Sequence, residues 1–103
     1  MVIYNETARN DLEQILYGLA TWQKHPLEFE HARNYVKALR IECEIIDTKN
    51  YHRNTSFQVH KEFGDKLFVY KRNAKTQWNI IYNWQPRQRI AFINKIVNNY
   101  LTK

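Results

Sequence analysis

The 103-residue chain carries a formal net charge of +6, contains 15% aromatic residues and has a single cysteine, Cys43. A chain of this length forms one domain, residues 1–103, and buries roughly 65% of its unfolded surface without help from disulfides, which one cysteine excludes. No set of Cys and His residues has the spacing of a zinc site, so we expect no metal, and we expect no cofactor either. Nothing resembles a signal peptide, and no apolar run approaches the ~20 residues of a membrane span. We therefore expect a cytoplasmic protein without membrane contact.

The first half of the chain predicts a short strand followed by two helices. Met1 to Tyr4 is a brief apolar run, and Asn5 or Thr7 can cap the helix that follows. Because the interruption around Pro26 is only about three residues long, we expect an antiparallel helical hairpin. The apolar residues of each helix recur at steps of three and four, namely Ala8, Leu12, Ile15, Leu16, Leu19 and Trp22 in the first and Phe29, Ala32, Val36, Leu39, Cys43 and Ile46 in the second.

The second half predicts three or four antiparallel strands. Asp47 to Ser56 has no period and the composition of a loop, whereas Phe57 to Lys61 alternates as a strand does. Gly64-Asp65 marks a turn. The segment Lys66 to Trp84 then alternates in two runs around the polar residues 73–77, which predicts a β-hairpin rich in aromatic residues.

The last segment fits two kinds of structure. The alternating residues of Ile90 to Val97 predict a strand buried on both faces, with Gln85 to Gln88 as the turn into it. We favour this strand over a helix because β-branched residues dominate. The complete order then predicts an α+β fold with the helices on one face of the sheet. The residues that would instead fit a helix are Ile90, Ile93, Val97 and Leu101.

Positive charge is concentrated in the second half of the chain. Residues 1–47 contain five Lys/Arg and eight Asp/Glu, a net charge of −3, whereas residues 48–103 contain eleven and two, a net charge of +9. Such asymmetry is typical of a face that meets phosphate or an acidic protein, although solubility alone also favours basic chains. The candidate target-binding residues are Arg53, Lys71, Arg72, Lys75, Arg87, Arg89 and Lys95.

Four short motifs are spread over most of the chain: Tyr4-Asn5-x-x-Ala8-x-x-Asp11-Leu12, Tyr70-Lys71-Arg72-Asn73, Trp78-Asn79-Ile80-Ile81-Tyr82 and Ile93-Asn94-Lys95-Ile96. Together they resemble the RelE/ParE superfamily, the toxins of bacterial type II toxin-antitoxin systems. The second motif, followed by a Thr-x-Trp, is most similar to the ParE-like branch. The resemblance implies a growth-inhibiting toxin, of the kind that stabilises plasmids, and a cognate antitoxin as its partner.

The resemblance is compatible with two activities. ParE-like toxins poison DNA gyrase by binding it, whereas RelE-like toxins cleave messenger RNA in the ribosome, which requires proton transfer and positive charge at the phosphate. Where such nucleases carry basic or acid/base residues, this chain has Asn79, Asn98 and Asn99, and a side-chain amide cannot act as a general acid or base near neutral pH. We therefore favour the gyrase poison; the alternatives are the ribosome-dependent nuclease and a non-toxic nucleic-acid-binding module. The candidate catalytic residues are His52, Arg53, Lys71, Arg72 and Tyr100.

Several conspicuous side chains also have a purely structural interpretation. We expect Cys43, Trp78 and Trp84 to pack in the core or against neighbouring strands. His52 and His60 are expected at the surface.

Overall fold

The computed structural model describes residues 1–21, 29–72 and 76–98 and has the α+β fold that the sequence predicts. Five strands form one sheet, and two long helices pack on one of its faces. None of the helices in the described ranges has the length and hydropathy to cross a bilayer. The strands are β1 (Val2–Tyr4), β2 (Arg53–Asn54), β3 (Lys66–Lys71), β4 (Gln77–Gln85) and β5 (Ile90–Asn98), and the helices are α1 (Glu6–Thr21), α2 (Phe29–Glu44) and α3 (Gln58–Lys61).

The predicted sheet is wrong in its number of strands, and the parallel direction of the N-terminal strand was not predicted. The strand order is β1-β5-β4-β3-β2, which gives five strands rather than three or four. β1 runs parallel to β5, with Val2 opposite Ala91, whereas the other pairs are antiparallel. β2 pairs Arg53 with Leu67 inside a segment expected to be loop. Both pairings join residues distant in sequence, so local periodicity carries no signal for them.

The segment Phe57 to Lys61, predicted as a strand, forms the helical turn α3 instead. The N–H of His60 donates to the Phe57 carbonyl at 3.0 Å, and the Thr55 hydroxyl donates to the Gly64 carbonyl at 3.0 Å. These bonds close residues 55–65 into a compact loop, which we call the 55–65 loop. Its alternation of apolar and polar residues does not correspond to a sheet face, since Phe57 remains 60% exposed.

Helix α1 begins at Asn5, one of the two caps that the sequence offers. The Asn5 Oδ1 atom accepts a hydrogen bond from the Ala8 N–H at 2.8 Å, which satisfies one of the unpaired donors of the first turn. The predicted short connection between the helices, together with Trp22 and Pro26, falls in residues 22–28, outside the described part of the chain.

The core lies between the two long helices and one face of the sheet. The helical stripes are confirmed where they are described, with two exceptions: Phe29 is 55% exposed, and the buried Ile46 lies beyond the end of α2, in the 3-10 helix Ile46–Thr48. Cys43 is buried as predicted, and burial raises the pKa of its thiol to about 12, which keeps it protonated. Trp84 packs against the core from a partly buried position. The buried set is Ala8, Leu12, Val36, Leu39, Cys43, Ile46, Trp78, Ile80, Tyr82, Ala91, Ile93 and Ile96.

The last segment is a strand, as favoured, and it contains a β-bulge. Ile81 lies opposite Lys95 and Tyr82 lies opposite Ile93, so β5 has one residue more than β4 between these pairs. The extra residue shifts the alternation of the strand. Ile93 and Ile96 are therefore both buried in the core although they are three positions apart.

Beyond the end of β1, helix α1 closes the outer edge of β5. The Ile96 N–H donates to Asp11 Oδ2 at 2.9 Å, and Lys95 Nζ donates to Asp11 Oδ1 at 2.9 Å. A carboxylate thus takes the place of the strand carbonyl that would otherwise satisfy this edge.

The 55–65 loop crosses the face of the sheet that is turned away from the long helices. The Asp65 N–H donates to Asn83 Oδ1 at 3.2 Å, and Asn94 Nδ2 donates to the Phe63 carbonyl at 2.7 Å. Gly64 lies so close to β4 that a Cβ atom there would be 2.8 Å from the Tyr82 carbonyl oxygen. The position requires glycine because the nearest obstructing atom belongs to the backbone of β4 and cannot move aside as the end of a flexible side chain can.

We expect the Gly64→Ala substitution to destabilise the protein by about 1–3 kcal/mol, because the methyl group would push the 55–65 loop away from β4. Gly18→Ala is the matched control. Gly18 lies in α1 with no atom within 4 Å of its added Cβ, so alanine should raise the free energy of unfolding by about 0.5–1 kcal/mol. Urea unfolding followed by circular dichroism measures both changes. Equal effects of the two substitutions would contradict the close approach at Gly64.

Candidate target-binding surface

The tip of the β3–β4 hairpin carries the basic pair Lys71 and Arg72. The Arg72 guanidinium lies 4.5 Å from the ring centroid of Tyr35 on α2 and donates to the Tyr70 hydroxyl at 3.4 Å. The Tyr35 hydroxyl accepts a hydrogen bond from Trp78 Nε1 at 3.0 Å. Arg72 therefore fixes the hairpin to the helix, whereas Lys71 is exposed at the strand end and has no ion pair with a described residue.

The turn between β4 and β5 carries Arg87 and Arg89. Arg89 adopts the left-handed conformation, with φ of 52°, and its guanidinium donates to the carbonyls of Asp47 at 2.7 Å and Lys49 at 3.3 Å. It also lies 5.4 Å from the ring centroid of Trp84. Arg89 thus ties this turn to the loop that follows α2, while Arg87 is exposed.

The remaining predicted basic residues lie elsewhere. Lys95 is paired with Asp11 and lies 5.6 Å from the Phe63 ring centroid, between α1 and the 55–65 loop. Arg53 is exposed on the edge strand β2. Lys75 and the candidate catalytic Tyr100 are outside the described residues.

His52 is held in one tautomer against the core side of the sheet. Its Nε2 lies 3.1 Å from the Lys49 carbonyl, which only accepts, so Nε2 carries the proton and Nδ1 accepts from the Tyr82 hydroxyl at 2.6 Å. The ring also stacks on Trp84, with centroids 3.9 Å apart. Burial lowers the pKa of His52, and the charges of Arg89 and Lys66 lower it further, against the opposing effect of the hydrogen bond to Lys49.

His60 is buried rather than at the surface, where the sequence placed it. It is 2% exposed, and both of its ring nitrogens lack a hydrogen-bond partner among the described residues. The edge of its ring contacts Phe57, with centroids 5.5 Å apart. Burial lowers the pKa of His60, so the neutral ring is the stable form inside the 55–65 loop.

Those predicted site residues that the structure describes do not come together in one place. Lys71 and Arg72 lie at one end of β4 and Arg87 and Arg89 at the other, and nine residues of strand separate them, a span of about 27 Å at the usual rise per residue. The sequence analysis did not identify Tyr35 as the partner of Arg72. The position of this aromatic residue between the polar and apolar sides of α2 could have indicated such a contact. Across the described residues, no group of three or more His, Cys, Asp or Glu side chains could hold a metal ion.

Comparison with models of protein families, with curated proteins and with solved structures found no match to this chain.

We expect the free energy of unfolding to decrease as the pH is lowered from 7.5 to 5.5. The pKa values of His52 and His60 are lowered on folding, so the unfolded chain binds more protons than the native one below the ordinary histidine pKa of about 6.5. Each histidine contributes at most about 1.4 kcal/mol per pH unit. Urea unfolding at several pH values measures the slope.

The His60→Leu variant tests how much the buried ring of His60 contributes to this pH dependence of the free energy of unfolding. Because the ring nitrogens of His60 have no described partner, leucine should cost little at pH 7.5 and should make the decrease towards pH 5.5 smaller. His31→Gln is the control, since His31 is exposed on α2, and it should keep the wild-type slope. Stability that rises towards pH 5.5, or identical profiles for His60→Leu and wild type, would contradict the assignment.

Proposed function

We propose that this protein is a toxin of a bacterial type II toxin-antitoxin system, that it is ParE-like, and that it acts in the cytoplasm by binding DNA gyrase. The order of a strand, two long helices and then the sheet supports this proposal, as do the four motifs that resemble the RelE/ParE superfamily. Tyr70 and Lys71 of the motif Tyr-Lys-Arg-Asn lie in β3, and Arg72 directly follows that strand. The tyrosine and the arginine of the motif contact each other there.

The choice of target binding over RNA cleavage rests on the side chains that surround Lys71. Lys71 is an exposed cation on a hairpin that Arg72 and Tyr35 fix to α2. The nearest side chains that β4 offers beside it are amides: Gln77 is its partner across the hairpin, and Gln77 Nε2 donates to Asn79 Oδ1 at 3.2 Å. β4 thus offers no acid or base beside Lys71 in the part of the chain that the structure describes, and a positioned charge in such surroundings supports binding of a target rather than cleavage.

The geometry of His52 supports the same choice. Both of its ring nitrogens are used in hydrogen bonds on the core side of the sheet. A general base must lie within hydrogen-bond reach of the proton that it removes, and this ring is occupied by the Tyr82 hydroxyl and the Lys49 carbonyl. RNA cleavage would therefore need other groups than the one histidine that the sequence nominated.

The proposal includes a cognate antitoxin encoded by a neighbouring gene. The excess of positive charge in residues 48–103 favours a partner with an acidic segment that is disordered when free and folds over the toxin. Such a segment would cover the exposed cations Arg53, Lys71 and Arg87.

Expression of the chain in bacteria is expected to arrest growth, and co-expression of the neighbouring gene is expected to restore it. A ParE-like poison should produce DNA breaks and an SOS response while transcripts stay intact. Mapping of transcript ends and of DNA breaks after induction distinguishes the mechanisms. New cleavages within codons would establish the nuclease instead, and normal growth at high levels of the folded protein would exclude the toxin.

The Lys71→Glu variant should weaken gyrase binding by about tenfold or more and relieve growth arrest, because it reverses a charge at the proposed contact. Arg9→Glu is the matched control. Arg9 is an exposed basic residue on α1, so the same change of net charge there should leave toxicity unchanged. Equal relief by both variants would show that net charge, rather than the hairpin tip, determines toxicity.

A further inference from the structure

The loop after α2 presents an aromatic side chain to solvent. Tyr51 is 80% exposed, more than any other large apolar or aromatic side chain in the described ranges. Its neighbour His52 is stacked on Trp84 and hydrogen-bonded to Tyr82. The chain thus turns one ring of this pair inward and leaves the other outside.

The backbone that carries Tyr51 is held in place on both sides. The Asp47 carboxylate pairs with the amino group of Met1, and Arg89 donates to the carbonyls of Asp47 and Lys49. His52 donates to the same Lys49 carbonyl at 3.1 Å. An exposed ring on an anchored loop is a preorganised contact surface, because little conformational entropy remains to be lost on binding.

A cleft of about 270 Å³ lies between this loop and strand β3. Lys49, Tyr51 and Arg53 line one side of it, and Phe68 and Val69 line the other. The lining contains two cations and no carboxylate. Lys49 Nζ lies 5.5 Å from the Phe68 ring centroid, which places an ammonium group over an aromatic floor.

The floor of the cleft also includes an open strand edge. β2 pairs only with Lys66 and Leu67, so from Phe68 onward the outer edge of β3 has no neighbouring strand in the described part of the chain. Backbone N–H and C=O groups of such an edge are available to hydrogen-bond a ligand.

We propose that this cleft binds one unpaired nucleotide of a single-stranded nucleic acid. The base stacks on Tyr51, its polar edge meets the open edge of β3, and Lys49 and Arg53 hold the flanking phosphates. Stacking platforms flanked by cations are how proteins hold single strands. The volume is below that of most small-molecule pockets, which suits one base better than a larger ligand. The proposal goes beyond the toxin function and does not depend on it.

The experiment uses the full chain and short fluorescein-labelled single strands, an oligouridylate and an oligothymidylate, in anisotropy titrations at increasing salt. Tyr51→Ala should weaken binding by about 5- to 150-fold through loss of base stacking. Tyr51→Phe keeps the ring and should bind like wild type. Arg53→Ala should lower the slope of log affinity against log salt by about 0.7, the value for one phosphate contact on a single strand.

Tyr17→Ala is the matched control, since Tyr17 is 64% exposed on α1. Loss of this ring should leave the affinity for both oligonucleotides unchanged. Absence of binding by the wild-type chain at low salt would overturn the proposal. Unchanged binding by Tyr51→Ala would also overturn the proposal, because the oligonucleotide would then bind at another place on the protein. An acidic peptide that binds in a Tyr51-dependent manner while neither oligonucleotide does would assign the cleft to a protein partner and overturn it as well. These outcomes leave growth arrest and its dependence on Lys71 unaffected.

Discussion

The outer edge of β5 is the constraint on which the rest of the structure depends. β5 lies between β1 and β4 in the sheet. Backbone N–H and C=O groups left unpaired on its outer edge would expose the sheet to pairing with another chain. β1 covers the first part of this edge, and after Asn5 caps α1 the helix brings Asp11 to the remaining N–H. The path of the first eleven residues therefore follows from the need to close this edge, and the helices cover the sheet as a result.

The basic residues of the second half serve two purposes. Arg72, Arg89 and Lys95 each join two parts of the chain that are distant in sequence, through aromatic rings, carbonyls or a carboxylate. Arg and Lys are suited to this because a long apolar stem reaches across the surface while the head finds acceptors. The positive charges that remain available to a partner are fewer and more dispersed, chiefly those of Arg53, Lys71 and Arg87.

The sequence predicted the elements whose signal is local. The helical stripes, the cap at Asn5 and the hairpin from Lys66 were found because 3.6- and 2-residue periods report burial directly. The parallel pairing of β1 and the separation of the basic residues to the two ends of β4 were not predicted, since both depend on contacts between residues that are distant in sequence. The last segment was ambiguous because Ile90, Ile93 and Val97 recur at steps of three and four, as the apolar residues of a helix do.

The parallel pairing of β1 with β5 also bears on the order in which the chain folds during synthesis. β1 precedes the other described strands in chain order, and its partner residue Ala91 belongs to β5, which follows all of them. While the ribosome makes the residues between them, the apolar N-terminal residues have no strand to join. Closing so long a loop is entropically slow. Nascent chains that do not yet contain β5 therefore lack the closed edge, and the native sheet is completed only after β5 has been made.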